Sequence, residues 1–180
     1  MKKPLIAAIA TLAVATGAQA ESKVYGKFNV GIGYEDDSEA TSLNTFASRL
    51  GVKGSDDLGS TKVVYQIELE VAADDGLAVD DGTDTNTFKP RNTYVGLAFA
   101  GMGTVKMGLM DTPVKLSQGK FDLFNDVYDM KGVLDGEKRL GDSVNYTTEK
   151  FGNIQASVSY VMMEDKDVDD GISANLIYKA

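Results

Sequence analysis

Carboxylates and cations are the groups of this chain that could do chemistry. Its 180 residues hold 27 Asp+Glu against 18 Lys+Arg, a net charge of −9, with no His and no Cys. Without His there is no imidazole base, which excludes triad hydrolases and zincins. Without Cys there is no thiol nucleophile, disulfide framework or thiolate metal ligand. Paired carboxylates can serve a glycosidase, but no two acids here are marked as a site, and the chain reads as a non-enzyme. Asp165, Asp167, Asp169, Asp170 and Gly171 hint at a calcium loop. The EF-hand pattern wants Gly at position 6 and Glu at position 12. Asp170 and Leu176 stand there, so the run reads as a solvated loop. No cofactor and no metal is expected. The acidic balance also argues against nucleic acid, whose binders need a basic face.

The elements that must position these charges begin after a leader. Lys2 and Lys3 precede a short apolar run, Leu5 to Ala15, and then Ala18-Gln19-Ala20. That is the order of a secretory signal peptide, with cleavage after Ala20. The apolar run is about half the ~20 residues a membrane helix needs. Residues 1–20 are therefore assigned to the signal and 21–180 to one β-barrel domain.

Past the leader the pattern has period two, the signature of strands whose side chains alternate between faces. Val24, Phe28, Val30, Ile32 and Tyr34 oppose Tyr25, Lys27 and Asn29. Val63, Tyr65, Ile67, Leu69 and Val71 oppose Lys62, Val64, Gln66, Glu68 and Glu70. Similar alternation follows Asn153 and Gly171, with shorter runs at 49–53 and 143–147 and less regular ones at 91–99 and 104–109. About eight strands result, and no segment beyond a turn or two reads as helix. Tight Gly-bearing turns are expected at 55–60, 100–103 and 150–152, and long polar loops at 35–47, 73–89, 111–142 and 163–170. Short turns at one edge and long loops at the other are the pattern of an antiparallel up-and-down transmembrane β-barrel. A soluble β-sandwich has the same periodicity, and the pattern alone leaves it open.

Several stretches resemble the general porins of Gram-negative bacteria, in their proteobacterial trimeric branch. They are Val24-Tyr25-Gly26-Lys27, Ser48 to Gly59, Val64 to Glu68, Arg91 to Leu97, and Asp111-Thr112-Pro113 followed by Gln118 to Asp126. The resemblance implies an outer-membrane channel for small hydrophilic solutes and ions. It implies a sixteen-stranded homotrimer, with outer-membrane lipid and lipopolysaccharide as its surroundings. It also implies that the segment 111–142 is the third loop, folded into the pore to narrow it. On that reading Asp122, Asp126 and Asp129 are the acids of the constriction. Arg49 and Lys53 share the inward parity of the second strand and are the facing bases. Arg91 is a weaker candidate, because its parity is that of Val95 and Leu97. The alternative is a small non-conducting outer-membrane barrel with a structural or adhesive role.

The sequence departs from the family in three ways. Gly108-Leu109-Met110 stands where the family commonly has Gly-Arg-Gln. One wall base is thereby missing, and a cation preference would follow. The strands amount to half a family barrel. The chain closes on Tyr178-Lys179-Ala180 where family members usually end on an aromatic residue. A partial sequence, the N-terminal half of a porin, is the expectation.

Overall fold

The computed structural model describes residues 22–35, 40–72, 88–119, 136–165 and 167–179. Residues 1–20 lie outside them. Eleven strands and one short helix are present: β1 (Lys23–Lys27), β2 (Val30–Glu35), β3 (Ala40–Thr45), β4 (Arg49–Leu58), β5 (Thr61–Val71), β6 (Phe88–Pro90), β7 (Thr93–Phe99), β8 (Gly103–Asp111), α1 (Pro113–Ser117), β9 (Arg139–Thr148), β10 (Ile154–Val161) and β11 (Gly171–Tyr178). The main sheet runs β1-β4-β5-β7-β8-β9-β10-β11, with β6 also on β5 and β2-β3 as a separate pair. Every pairing is antiparallel, and the chain moves to the neighbouring position at each step. β1–β2, β3–β4 and β6–β7 are each one pass of chain with a break, so eight passes cross the sheet, the number the periodicity predicts.

The burial pattern is the reverse of a soluble sandwich. Val24 is 70 % exposed, Ile32 80 %, Ile172 77 % and Leu176 72 %, whereas Glu68 is 6 % exposed and Asn145 4 %. Cross-strand partners keep this sorting from one strand to the next. Val52 opposes Ile67, Tyr65 opposes Val95, Val95 opposes Met107, Met107 opposes Val144, Val144 opposes Tyr160, and Tyr160 opposes Ile172. The apolar set thus forms one continuous outer face. Such a face has no stable place in water, because the hydrophobic effect would drive it to cover itself.

Three breaks in the ladders differ from the sequence expectation. The stretch 35–47 is not all loop, because β3 pairs along β2 from Val30↔Thr45 to Glu35↔Ala40. Its Thr, Ser and Asn content hid a strand whose outer face carries a single large apolar residue, Leu43. Between β3 and β4 one residue is inserted, and Ala47 takes φ 48°. The Ser48 hydroxyl fills the gap, accepting from Asn29 N–H at 2.9 Å and from the Thr45 hydroxyl at 3.0 Å. A second break separates β6 from β7: Leu69 opposes Pro90, but Gln66 opposes Tyr94, so the phase shifts by one residue at Arg91-Asn92. The third lies in β9, opposite Gly108–Met110, where Asp142 takes φ 47°. These are β-bulges, which bend a strand and re-aim its side chains. The turn expected at 55–60 is also shorter. β4 continues to Leu58, and only Gly59 (φ 68°) and Ser60 turn the chain, the two-residue hairpin that tolerates positive φ at Gly. Across it Lys62 Nζ meets Asp57 Oδ1 at 3.1 Å.

Candidate functional site

The face opposite the apolar one is polar on every strand. β1 contributes Tyr25, β4 Arg49 and Lys53, β5 Gln66, Glu68 and Glu70, β7 Tyr94 and β8 Lys106. The register places Arg49 opposite Glu70 and Lys53 opposite Gln66. Lys106 continues the face through Asn145, Ser159 and Ser173 on β9, β10 and β11. Asn145 Nδ2 donates to Ser159 Oγ at 2.8 Å. The charges of this face therefore gather on β1 to β8, and the row Asn145, Ser159 and Ser173 beyond them is neutral.

Arg91 is the centre of the charged half. Its Nε donates to Glu68 Oε1 at 2.8 Å and its Nη1 to Glu70 Oε2 at 2.5 Å. Its parity on β7 would have sent it to the apolar side. The bulge at Arg91-Asn92 reverses that, so Arg91 keeps the phase of β6 and joins Arg49 and Lys53. Glu68 also accepts from the Tyr25 hydroxyl at 2.8 Å. Tyr25 reaches it only because Gly51 lies beneath: a Cβ there would stand 2.5 Å from a ring carbon. Gln66 Nε2 donates to the Tyr25 oxygen at 2.9 Å, and the Tyr94 hydroxyl donates to Gln66 Oε1 at 3.1 Å. Tyr25, Gln66 and Tyr94 thus make a hydrogen-bonded row across three strands. Lys53 Nζ lies 5.1 Å from the Tyr25 ring centroid and Lys106 Nζ 4.7 Å from that of Tyr94, within cation–π range.

The root of the expected third loop stands beside this network. β9 begins at Arg139, so the connection after β8 is 112–138. Arg139 Nη2 pairs with Asp111 Oδ1 at 2.9 Å, and Asn92 Nδ2 donates to Asp111 Oδ2 at 2.8 Å. Thr112 caps α1 by accepting from Lys115 N–H, and its hydroxyl donates to Gly136 O at 2.7 Å. Lys115 Nζ holds the buried Glu137 at 3.0 Å. From this root α1 crosses to the far part of the polar face. Asn175 Nδ2 on β11 donates to Pro113 O at 2.7 Å, and Pro113 is fully buried.

Of the residues expected to form a constriction, Arg49, Lys53 and Arg91 border one cleft of about 410 Å3 with Glu68 and Asp111. Asp122, Asp126 and Asp129 lie outside the described residues. Lys106 was missed by the sequence reading. It alternates with Val105 and Met107, but the run 104–109 is uneven and the signal weak. The expected cation preference rested on a missing base on this strand; Lys106 places one two residues before Gly108.

The pattern of the Gram-negative porin family matches residues 6–180. The chain belongs to that family. Porins are channel proteins, not enzymes. A major outer membrane protein P.IB of Neisseria gonorrhoeae is 32 % identical over 180 residues, covering 89 % of this chain and 48 % of the relative. An anion-selective porin from Comamonas acidovorans superposes with a TM-score of 0.65 at 24 % identity, over 82 % of this chain and 48 % of that one. The Salmonella typhi OmpF complex with daunomycin gives 0.68 at 18 % identity, over 88 % and 50 %. The chain spans about half the length of the curated relatives it matches. Its fold is all-β and antiparallel, of the porin barrel kind. Among the described residues no helix is long and apolar enough to cross a membrane, and no group of acids is arranged to hold a metal.

Proposed function

We propose that the polar face is the wall of an outer-membrane diffusion pore for small hydrophilic solutes and ions. Residues 1–20 export the chain and are removed after Ala20. Residues 21–180 form the porin barrel domain, the N-terminal half of a sixteen-stranded barrel that associates as a homotrimer among outer-membrane lipid and lipopolysaccharide. The connection 112–138, within the expected loop 111–142, narrows the pore. Asp122, Asp126 and Asp129 face Arg49, Lys53 and Arg91 across it and set a transverse field.

The observation that carries this reading is α1. The segment after β8 turns onto the polar face and is tied to β11 through Asn175, the route a loop must take to narrow a pore. Barrel strands that expose apolar side chains outward and bury polar ones inward suit a bilayer with a wet lumen.

The test uses the absence of native cysteine. The protein is expressed with its leader, extracted from outer membranes and inserted in planar bilayers. Stepwise conductance is expected. A single cysteine at Thr104 should let a water-soluble thiol reagent reduce that conductance, while cysteines at Val52 or Ile67 should not react. A non-conducting protein, or reaction at Val52 and Ile67, would overturn the reading in favour of a structural barrel.

A further inference from the structure

Two cavities of the polar face differ in charge, and Lys53 borders both. The cleft around Arg91 contains acids and bases together. The other, about 730 Å3, is on the opposite side of the tyrosine row, toward the tight turns. It is bordered by Lys23, Lys53 and Lys106 with Ser55, Tyr94 and Thr104, and by no carboxylate. Lys23 and Lys53 are directly opposed on β1 and β4. Like charges so placed weaken a sheet unless something lies between them. No described carboxylate is within ion-pair distance of any of the three lysines. The tyrosine rings beside Lys53 and Lys106 attract their ammonium groups, but they remove no charge and leave N–H donors free.

We propose that this pocket is a subsite for a small, multiply charged oxyanion of the phosphate class, bound by Lys23, Lys53 and Lys106 with the Ser55 and Thr104 hydroxyls as neutral donors. It rests on the polar face being open to water, as the pore reading requires. Three cations bordering one pocket favour multiple negative charge. The volume is far larger than a single halide ion fills. Lysines act on an oxyanion as point charges, without the planar fork with which Arg grips a flat carboxylate. The tetrahedral class therefore fits better than a monocarboxylate.

The test is a titration of the full chain, folded in detergent micelles, with inorganic pyrophosphate at constant ionic strength, followed by phosphorus NMR line width. Saturable broadening is expected. Lys53→Gln and Lys106→Gln should each weaken the affinity about tenfold, as the loss of one charge-assisted hydrogen bond does. Lys53→Arg should retain binding and shows that the first loss is not misfolding. Lys62→Gln, which removes a lysine already paired with Asp57, should change it less than about twofold, the effect of a screened surface charge. Equal losses in all glutamine variants, or no saturation, would overturn the subsite. Conductance of the same preparations is read separately. Channels without lysine-dependent binding overturn the subsite and leave the pore reading intact; lysine-dependent binding without channels does the reverse.

Discussion

The two sides of the Tyr25–Gln66–Tyr94 row solve the same problem differently. Toward the long loops, Arg91 is neutralised by Glu68 and Glu70, and Arg139 by Asp111. Toward the tight turns, Lys53 and Lys106 lie against the Tyr25 and Tyr94 rings and Lys23 opposes Lys53, with no described carboxylate at ion-pair distance. Arg91 stands where a fork must hold two carboxylates at once, whereas Lys53 and Lys106 are flexible point charges. Paired charges fix geometry and contribute little net field. Unpaired ones cost stability and leave a potential that a solute can feel. The first side is built to hold the sheet and the loop root; the second is the one the proposed subsite uses.

Substitutions should break this contrast unequally. Arg91→Gln should cost the most, about 2–4 kcal/mol, because it removes the guanidinium that bridges Glu68 and Glu70 and leaves only Arg49, opposite Glu70, near them. Urea unfolding in micelles would measure it. A change as small as that of Lys53→Gln would show that the arginine side is not structurally coupled. Asn175→Ala should cost about 1 kcal/mol, the net worth of one hydrogen bond, since Pro113 O loses the amide donor and keeps the Ser117 hydroxyl at 3.0 Å. Faster amide exchange at residues 113–117 would report α1 leaving β11, and unchanged exchange would count against the tether. Tyr94→Phe removes one hydrogen bond from the row and should cost about 1 kcal/mol, read as a shift in the urea midpoint. The effect should spread to the Glu68 side through Gln66 and Tyr25, so a double-mutant cycle with Tyr25→Phe should be non-additive.

The smallest effect lies outside both sides, at Asp170 in the connection between β10 and β11. The Tyr160 hydroxyl, and then the Met163 N–H at 2.8 Å, hold its carboxyl below the usual carboxylate range. A depressed folded value means that the contribution is present above the ordinary aspartate pKa and fades as pH falls through the folded one. The protection factor of the Met163 amide, its exchange corrected for the intrinsic pH dependence, should therefore fall below about pH 4, the ordinary aspartate range. Asp170→Ala should remove that pH dependence, and a dependence persisting in it would exclude Asp170 as the cause.

Much of this was legible before any coordinates, for a physical reason. A sheet with lipid on one side and water on the other must alternate strictly, so Val63 to Val71 and Ile154 to Met162 declare their faces from the sequence. Where a bulge shifts the phase, parity misleads. Arg91 was ranked low because it was counted back from Val95, across an insertion that no local residue announces. β3 was hidden because its outward positions include Thr41 and Thr45, which read as loop when Leu43 is the one large apolar residue beside them. Lys106 was legible in principle, by its alternation with Val105 and Met107, but only cross-strand pairing shows that its neighbours are Gly96 and Asn145 rather than lipid. The tether from Pro113 to Asn175 joins residues far apart in sequence and leaves no periodic trace at all.

The insertion at Ala47 has a consequence for how such a chain can change over time. In a two-faced sheet, losing one residue within a strand inverts every side chain up to the next turn and sends charge into lipid. Ala47 is the extra residue, so its loss would restore a regular ladder, with Thr45 still beside Val30 and Arg49 still beside Lys27. The bulge is thus a slip joint, a place where the length of the chain can drift by one without scrambling the wall on either side of it.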